Sequence, residues 1–375
     1  MNNHFYDMKI LHLIWNGKLG GAEKFALDLA NNQKKNDNVV CMGVMSRKLD
    51  IGILCDTMNI PVVEFMMSNG FDIISHICYL RFVSSYSPNV IHNHGSTPLA
   101  YFTKIHNRKV VFIDHIHGTT LGDDKWVKKR VLFTKRMADN FIDHYLVNSH
   151  YTRRIVLEKE KILPEKISVL YNGIDLTSFH PIRDKNSVRK EFGFHDSDKI
   201  VGTVGRLHPQ KGIDRFIDVA KEVANLCQNV RFMIVGDGEL RSTLESRVKE
   251  LHLQDKIIFT GARFDIPDIL SIFDLFLLTS NWEPFGIVLL EAMVVGVPVI
   301  AFAVGGVSEV VDHTCAILVS PGDVKTMSHE VITLLREKTR RDDLIRNGLV
   351  RVRRFDIKRI SKCISRLYAS FVQNK

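Results

Sequence analysis

Leu275-Phe276-Leu277-Leu278-Thr279-Ser280-Asn281-Trp282-Glu283-Pro284-Phe285-Gly286-Ile287-Val288-Leu289-Leu290-Glu291-Ala292-Met293 decides the fold. The first five residues form an apolar run of strand length, and the residues from Pro284 onward have helical character. Pro284 suits a first helical position, where its missing N–H costs nothing. Gly296 suits the residue just past a helix end, and Pro298 stops any continuation. A helix from about Pro284 to Gly296 is apolar on nearly every side, so it is expected to be buried. Glu291 interrupts it, on the face shared with Pro284, Ile287 and Val288. A buried carboxylate needs a partner or a polar ligand. Glu283 falls at the helix N-terminus, where free N–H groups and the dipole also attract phosphate. On these residues alone two readings stand. Glu283 caps its helix and Glu291 pairs with a buried arginine, or both acids face a ligand.

Outward from this stretch, apolar runs alternate with helical patterns along most of the chain. Ile10–Ile14, Val39–Val44, Val62–Phe65, Val90–His94, Val110–Asp114, His144–Ser149 and Ile167–Leu170 read as strands of a first domain. Ile200–Val204, Arg231–Val235, Lys256–Thr260, Leu275–Thr279, Pro298–Ala301 and Ala316–Val319 read as strands of a second. Strands spaced by helices predict α/β architecture with parallel sheets, here two doubly wound Rossmann-like domains facing across a cleft. The predicted boundaries are 1–180 for the first domain, 181–198 for a polar linker, 199–354 for the second domain, and 355–375 for a terminal helix. Ligands of such sheets bind beyond the carboxyl ends of the strands, so the loops there are the informative ones.

The chain of 375 residues is 45% apolar and 25% charged, values of a water-soluble globular protein. No apolar run approaches the ~20 residues that span a bilayer. Met1–Asp7 lacks the basic start of a secretory leader. Cys41, Cys55, Cys78, Cys227, Cys315 and Cys363 are scattered, with no metal or disulfide spacing, which fits a reducing, cytoplasmic setting. Part of the net charge of +9 is concentrated between Lys125 and Arg136, around Trp126. Such a segment suits either a solvated helix with one core face or a helix lying on the anionic inner face of a membrane. No nucleic-acid module accompanies the charge, and nucleic acid is not expected as a partner.

Three groups of residues carry chemistry. Gly205-Arg206-Leu207-His208-Pro209-Gln210-Lys211-Gly212 joins a strand to a helix starting near Ile213, and two cations at a helix N-terminus suit a diphosphate. The order of a P-loop is absent. Gly20-Gly21, in the first strand-to-helix loop, allows close approach of a ligand to the backbone, as it would allow a tight turn. Gly236-Asp237-Gly238 lacks the third glycine of a dinucleotide fingerprint, which argues against a dehydrogenase. His92-x-His94 and His115-x-His117 both end strands. Four histidines are enough for zinc, but no H-E-x-x-H motif accompanies them, and a metal is not expected. There is no G-x-S-x-G nucleophile elbow.

Taken in order, Gly205-Arg206-Leu207 with Lys211-Gly212, Val235-Gly236-Asp237-Gly238-Glu239-Leu240, Phe259-Thr260-Gly261, Glu283-Pro284-Phe285-Gly286 through Glu291-Ala292-Met293, and Gly305-Gly306-Val307-Ser308-Glu309-Val310 resemble the retaining, GT-B-fold glycosyltransferases ("glycosyl transferases group 1"). Glu283 and Glu291 match the family's E-x7-E motif. Gly20-Gly21-Ala22-Glu23, Val147-Asn148-Ser149 and Tyr171-Asn172-Gly173-Ile174-Asp175 also look like family sequence. The resemblance implies that Arg206 and Lys211 hold the donor diphosphate and that Glu291 binds the nucleotide ribose. It implies that Glu283, with the backbone of Phe285, Gly286 and Ile287, contacts sugar and phosphate. Gly20 and Gly21 would lie against the diphosphate, Gly261 to Arg263 along the base, and His117 near the transferred sugar. The segment from Phe355 would return to the first domain. The family needs no metal and no cofactor beyond its nucleotide-sugar substrate. Pro284 departs from the Gly or Ser of many members.

With this resemblance the chain reads as a transferase moving a sugar from a nucleoside-diphosphate sugar to an acceptor hydroxyl with retention of configuration. Catalytic roles would fall to Glu283, His117, Arg206 and Lys211. The expected acceptor is a saccharide or lipid-linked, the process cell-surface polysaccharide or glycolipid assembly, and the place the cytoplasm or the inner membrane face. A nucleotide-sugar epimerase shares this architecture but does not call for the E-x7-E, Arg206 and Lys211 set. A non-catalytic sugar-nucleotide-binding protein would not need these residues intact.

Overall fold

A computed structural model describes residues 7–95, 98–118, 136–160 and 162–373. The chain forms two compact units, Met1–Gly173 with Ile357–Lys375, and Ile174–Asp356. The first holds β1 (Lys9–Ile14), β2 (Val39–Val44), β3 (Val62–Glu64), β4 (Val90–Asn93), β5 (Val111–Ile116), β6 (His144–Val147) and β7 (Ile167–Val169). The second holds β8 (Lys199–Val204), β9 (Val230–Val235), β10 (Ile257–Gly261), β11 (Leu275–Leu278), β12 (Val299–Phe302) and β13 (Ala316–Val319). The sheet orders are β3-β2-β1-β4-β5-β6-β7 and β10-β9-β8-β11-β12-β13. All ladders between these strands are parallel. Both sheets are Rossmann-like, and both reverse direction beside their own first strand: between β1 and β4, and between β8 and β11.

The apolar strand runs follow from cover on both faces. On β1, Leu11 and Leu13 enter one core with Phe112, Tyr145 and Val147. Ile14 enters another with Ala26, Leu27, Met42 and Val44. His12 alternates onto the face of Ile14. In the second unit the helix Ile213–Leu226 buries Ile213, Phe216, Ile217, Val219, Ala220, Val223 and Ala224, at the three- and four-residue spacing of an amphipathic helix. Gly212 opens that helix with φ +56, and a Cβ there would stand 2.2 Å from the Thr279 carbonyl oxygen. Gly212→Ala is therefore expected to lower stability by more than the roughly 1–2 kcal/mol of the left-handed backbone alone. Urea unfolding that leaves the midpoint unchanged would refute this close approach.

Residues 181–198, expected as a linker from their polar composition, are a packed part of the second unit. They contain the helix Lys185–Glu191, capped by Asp184, whose side chain accepts from the Ser187 N–H. The Asp268 carboxylate accepts from the N–H groups of Ile182 and Arg183 at 2.6 and 3.0 Å. The buried Arg189 donates to the carbonyls of His195 and Asp198 at 2.5 and 2.9 Å. Charge here is engaged in structure rather than solvated. The division between units falls instead at Gly173/Ile174 and at Asp356/Ile357. The last helix, Ile357–Val372, counts with the first unit and buries Ile357, Ile360, Ile364 and Tyr368 along one stripe.

Candidate functional site

In the second unit the loops leaving β8 and β11 lie side by side because those strands are neighbours at the reversal of sheet order. The Asn281 N–H donates to the Gln210 carbonyl at 2.8 Å, and the Asn281 amide donates to the Pro209 carbonyl at 2.6 Å. The loops are thus pinned backbone to backbone. Across them Lys211 Nζ meets Glu283 Oε2 at 2.6 Å, and the Ser280 hydroxyl donates to the same oxygen at 3.1 Å. Glu283 is buried, and its own carbonyl accepts from the Gly306 N–H at 2.8 Å. Gly306 can approach so closely because a Cβ there would stand 2.2 Å from the Pro284 carbonyl oxygen. Arg206 is exposed, and its side chain makes no hydrogen bond or ion pair among the described residues.

The helix after Glu283 begins later than its proline implies. It runs Ile287–Val295, preceded by Gly286 at φ +90 and followed by Gly296 at φ +79. Pro284 therefore lies in the loop, and the first helical position is Ile287. Glycine in the left-handed region outweighs the preference of proline for that position. No side chain caps this N-terminus. The Leu289 N–H donates to the Gly286 carbonyl at 3.0 Å, which leaves the N–H groups of Ile287 and Val288 for water or a ligand. Glu291 sits half-buried on this helix. Phe285 is turned into the core against Phe355, with ring centroids 5.9 Å apart.

Arg263 is engaged elsewhere. Its guanidinium holds Asp265 through two bonds of 2.8 and 2.7 Å, reaches Glu191 at 2.9 Å, and lies over the Phe192 ring at 5.5 Å. It fastens the helix Lys185–Glu191 to the loop after β10, and the structure does not bring it to Glu283. Gly261, with φ +75, ends β10 and accepts from the Gly236 N–H at 2.9 Å.

In the first unit Gly20 and Gly21 lie where β1 gives way to the helix Gly21–Lys34, with Gly20 extended and no side-chain cap. His117 follows β5 and belongs to a larger array than its own motif announces. His12, His92, His94 and His115 are buried beside it. The rings of His92 and His94, and those of His115 and His117, stack with centroids 4.1 Å apart. Phe25, from the helix Gly21–Lys34, stands edge-on to His94, His115 and His117. Burial is the first cause that lowers the histidine pKa values, to about 4 for His12 and His117 and well below the usual value for the other three. Neighbouring histidines add to it at His92, His94 and His115. All five are neutral imidazoles at pH 7. Two overlapping triads, His12/His92/His94 and His94/His115/His117, have ring nitrogens within 4.8 Å of one another. An ion must lie in the plane of each ring that holds it, whereas stacked rings send their lone pairs along adjacent, nearly parallel planes. The in-plane contacts run from ring to ring instead: His12 Nδ1 to His94 Nε2 at 3.0 Å, His94 Nδ1 to His117 Nε2 at 2.9 Å, and His92 Nε2 to His115 Nδ1 at 3.2 Å.

His12, Gln33 and Tyr368 were not singled out by sequence. The only signal for His12 is a polar residue inside an apolar strand run, and nothing local marks Gln33 or Tyr368. The segment Lys125–Arg136, expected to be able to meet a membrane, lies outside the described residues apart from the exposed Arg136, as does the rest of 119–135. No described helix is long and apolar enough to cross a membrane.

Two Rossmann-like units, one with Arg206 and Lys211 near an uncapped helix N-terminus at its sheet reversal, form an arrangement that suits an anionic ligand such as a diphosphate. Residues 184–351 match the family described as Glycosyl transferases group 1, and residues 19–178 match Glycosyltransferase Family 4. The chain belongs to the GT-B glycosyltransferases. It is 31% identical over 263 residues to N-acetyl-alpha-D-glucosaminyl L-malate synthase of Bacillus anthracis, a match covering 67% of this chain and 66%, just under two thirds, of that enzyme. It is 26% identical, over the full length of both chains, to the UDP-Gal:alpha-D-GlcNAc-diphosphoundecaprenol alpha-1,3-galactosyltransferase of Escherichia coli. Among solved structures, Anabaena Alr3699/HepE in complex with UDP-glucose superposes with a TM-score of 0.83 at 25% identity, covering 97% of this chain and 100% of that one.

Proposed function

We propose that the protein transfers a sugar from a nucleoside-diphosphate sugar to an acceptor hydroxyl with retention of anomeric configuration. The observation that carries this is the Lys211–Glu283 pair beneath the uncapped helix at Ile287. Lys211 and the exposed Arg206 neutralise the departing diphosphate together with the first-turn N–H groups, a role that elsewhere falls to a divalent ion. Glu283 and the backbone of Phe285, Gly286 and Ile287 take sugar hydroxyls and phosphate. Glu291 takes the nucleotide ribose, Gly20 and Gly21 give the diphosphate access to backbone, and His117 meets a sugar hydroxyl. Gly261 lies along the base, with Arg263 acting through the loop it fastens. Retention rests on the family resemblance. The acceptor reacts on the face from which diphosphate leaves, with the departing phosphate taking its proton.

A uridine diphosphate sugar is the first donor to test, since the full-length Escherichia coli relative is named for UDP-Gal and the Anabaena structure holds UDP-glucose. The same relative is named for a lipid-diphosphate-linked acceptor, which supports a place in cell-surface polysaccharide or glycolipid assembly at the inner membrane face. A panel of nucleotide sugars, read by thermal shift and by release of nucleoside diphosphate with diphosphoprenyl-linked acceptors, tests this reading. One donor is expected to stabilise the protein and be consumed only with acceptor. Conversion of the donor to an isomer without acceptor would sink it in favour of an epimerase.

A further inference from the structure

The first unit carries an apolar surface that its core does not use. The helix Ile73–Tyr86 follows β3 and buries His76, Tyr79 and Val83. Tyr79 and Val83 join one core with Ala100 and Tyr101, and the Tyr79 hydroxyl meets the Thr103 hydroxyl at 2.8 Å. The short helix Thr103–His106 is thus fastened beside Ile73–Tyr86, and both cover the same face of the sheet. Their outer side stays apolar. Ile73 and Ile74 are 68% and 79% exposed, and Ile77 and Ile105 are about half exposed. Single exposed isoleucines are common in soluble proteins. Here Ile73 and Ile74 precede Ile77 at i,i+4 and i,i+3 spacing, so the three meet on one helix face, and a joined patch of that kind marks a contact.

Charge around this face has one sign. From Ile73 to Ile113 the sequence holds no aspartate or glutamate, against Arg81, Lys104, Arg108 and Lys109. Arg81 is exposed one turn beyond Ile77. Lys104 pairs with Asp143, whereas the side chains of Arg81, Arg108 and Lys109 make no hydrogen bond or ion pair among the described residues. The acid just ahead of the helix, Asp72, is drawn in as its cap and accepts from the N–H groups of Ser68 and Ser75 at 3.1 Å. A second copy of the chain meeting the same face would set cations against cations. An anionic bilayer complements it: aliphatic side chains enter the acyl boundary while the cations meet lipid phosphates. In a parallel sheet the helix after a strand starts at that strand's carboxyl edge. Ile73, Ile74 and Ile77 therefore lie toward the edge of the first sheet that also carries Gly20 and His117, which follow β1 and β5.

We propose that Ile73, Ile74, Ile77 and Arg81, with Ile105 beside them, form a surface by which the first unit docks on an anionic phospholipid bilayer. The helix Ile73–Tyr86 lies in the interface plane and does not cross it. The docking stands on the surface alone. That it brings the carboxyl edge of the first sheet to a lipid-linked acceptor rests on the glycosyltransferase reading.

The test is co-sedimentation of the full-length protein with vesicles of phosphatidylcholine, alone or mixed with an equal share of phosphatidylglycerol. The protein is expected to sediment with the anionic vesicles, less so at high salt, and to stay in solution with the neutral ones. The double variant Ile74→Gln/Ile77→Gln is expected to bind anionic vesicles roughly tenfold more weakly, from the lost burial of two aliphatic side chains. Ile182→Gln, at an exposed isoleucine of the second unit, is expected to leave binding unchanged. Cys78, exposed on the same helix face, gives a readout that keeps the isoleucines. An environment-sensitive dye attached there, in a protein carrying Cys227→Ser and Cys363→Ser, is expected to shift to the blue on anionic vesicles. No sedimentation with anionic vesicles, an unshifted dye, or unchanged affinity in the double variant would overturn the proposal. So would self-association in free solution that the double variant abolishes, which would make the face an interface between copies. If docking behaves as stated but no nucleotide sugar is consumed, the surface stands and the transferase reading falls.

Discussion

Lys211→Ala is expected to abolish nearly all transfer, lowering kcat/KM by about 10²–10³, and to destabilise the second unit as well. In the proposed reaction Lys211 is one of two cations that face the charge developing on the leaving diphosphate, and removing one such group is worth about 10²–10³ in comparable electrostatic sites. The stability term follows from burial. Glu283 is 5% exposed, and without Lys211 its carboxylate keeps only the Ser280 hydroxyl at 3.1 Å. Breaking a buried pair from one side costs about 3–5 kcal/mol, because the remaining charge is stranded. Glu283→Gln separates the two terms. It strands no carboxylate, and Lys211, whose side chain is 20% exposed, can turn to solvent. Activity is then expected to fall comparably while the denaturation midpoint moves less. Nucleoside diphosphate release and urea unfolding on the two variants measure both quantities. A Lys211→Ala protein that keeps its activity would remove the pair from the chemistry and leave it a structural ion pair.

The second large effect is acid lability of the first unit. The five array histidines have native pKa values below the ordinary 6.5, at about 4 for His12 and His117, because burial disfavours the charged ring. The unfolded chain therefore binds more protons than the native one wherever the pH lies between those values, and stability rises with pH there. The contribution is complete above about pH 6.5 and is lost as the pH falls from there towards 4. At pH 5.5 His12 and His117 each remove on the order of 1 kcal/mol, and His92, His94 and His115, shifted in the same direction, add to the loss. Calorimetry at pH 7.5 and 5.5 is expected to show one transition falling by about 10 °C or more. A transition temperature flat across that range would mean that the rings are already solvated in the native protein.

Most of the architecture was legible because both sheets are parallel and covered on two faces. Their strands are continuous apolar runs, and the helices between them carry stripes such as Phe216, Val219, Ala220 and Val223. The Lys211 and Glu283 loops were legible for a topological reason: both follow strands, and the sheet order makes β8 and β11 neighbours. What failed did so where local chemistry has two outlets. Residues 181–198 are polar because Asp184, Arg189 and Asp198 hold backbone groups inside a folded segment, which composition does not separate from solvated linker. Pro284 and Gly286 both mark helix starts, and only the φ of +90 at Gly286 decides between them. Arg263 was placed along the base by the family resemblance alone, and no local signal showed that Asp265 and Glu191 engage it. The histidine array joins His92 to Tyr368 across 276 positions, a distance over which no periodicity speaks.

That contact also bears on the order in which the molecule is made. The second unit is one continuous piece of chain, Ile174–Asp356, and has all its strands before the last helix is synthesised. The first unit begins earlier but stays incomplete, because Ile357–Val372 closes over its sheet and brings Tyr368 beneath His92. On the ribosome the later-encoded unit can thus finish before the earlier one, inverting the usual amino-terminal-first order. Until the last helix emerges, the array has no Tyr368, and the first sheet waits with part of its apolar cover missing. A nascent chain stalled after Asp356 is then a two-part object, one part native and one part still a client for chaperones.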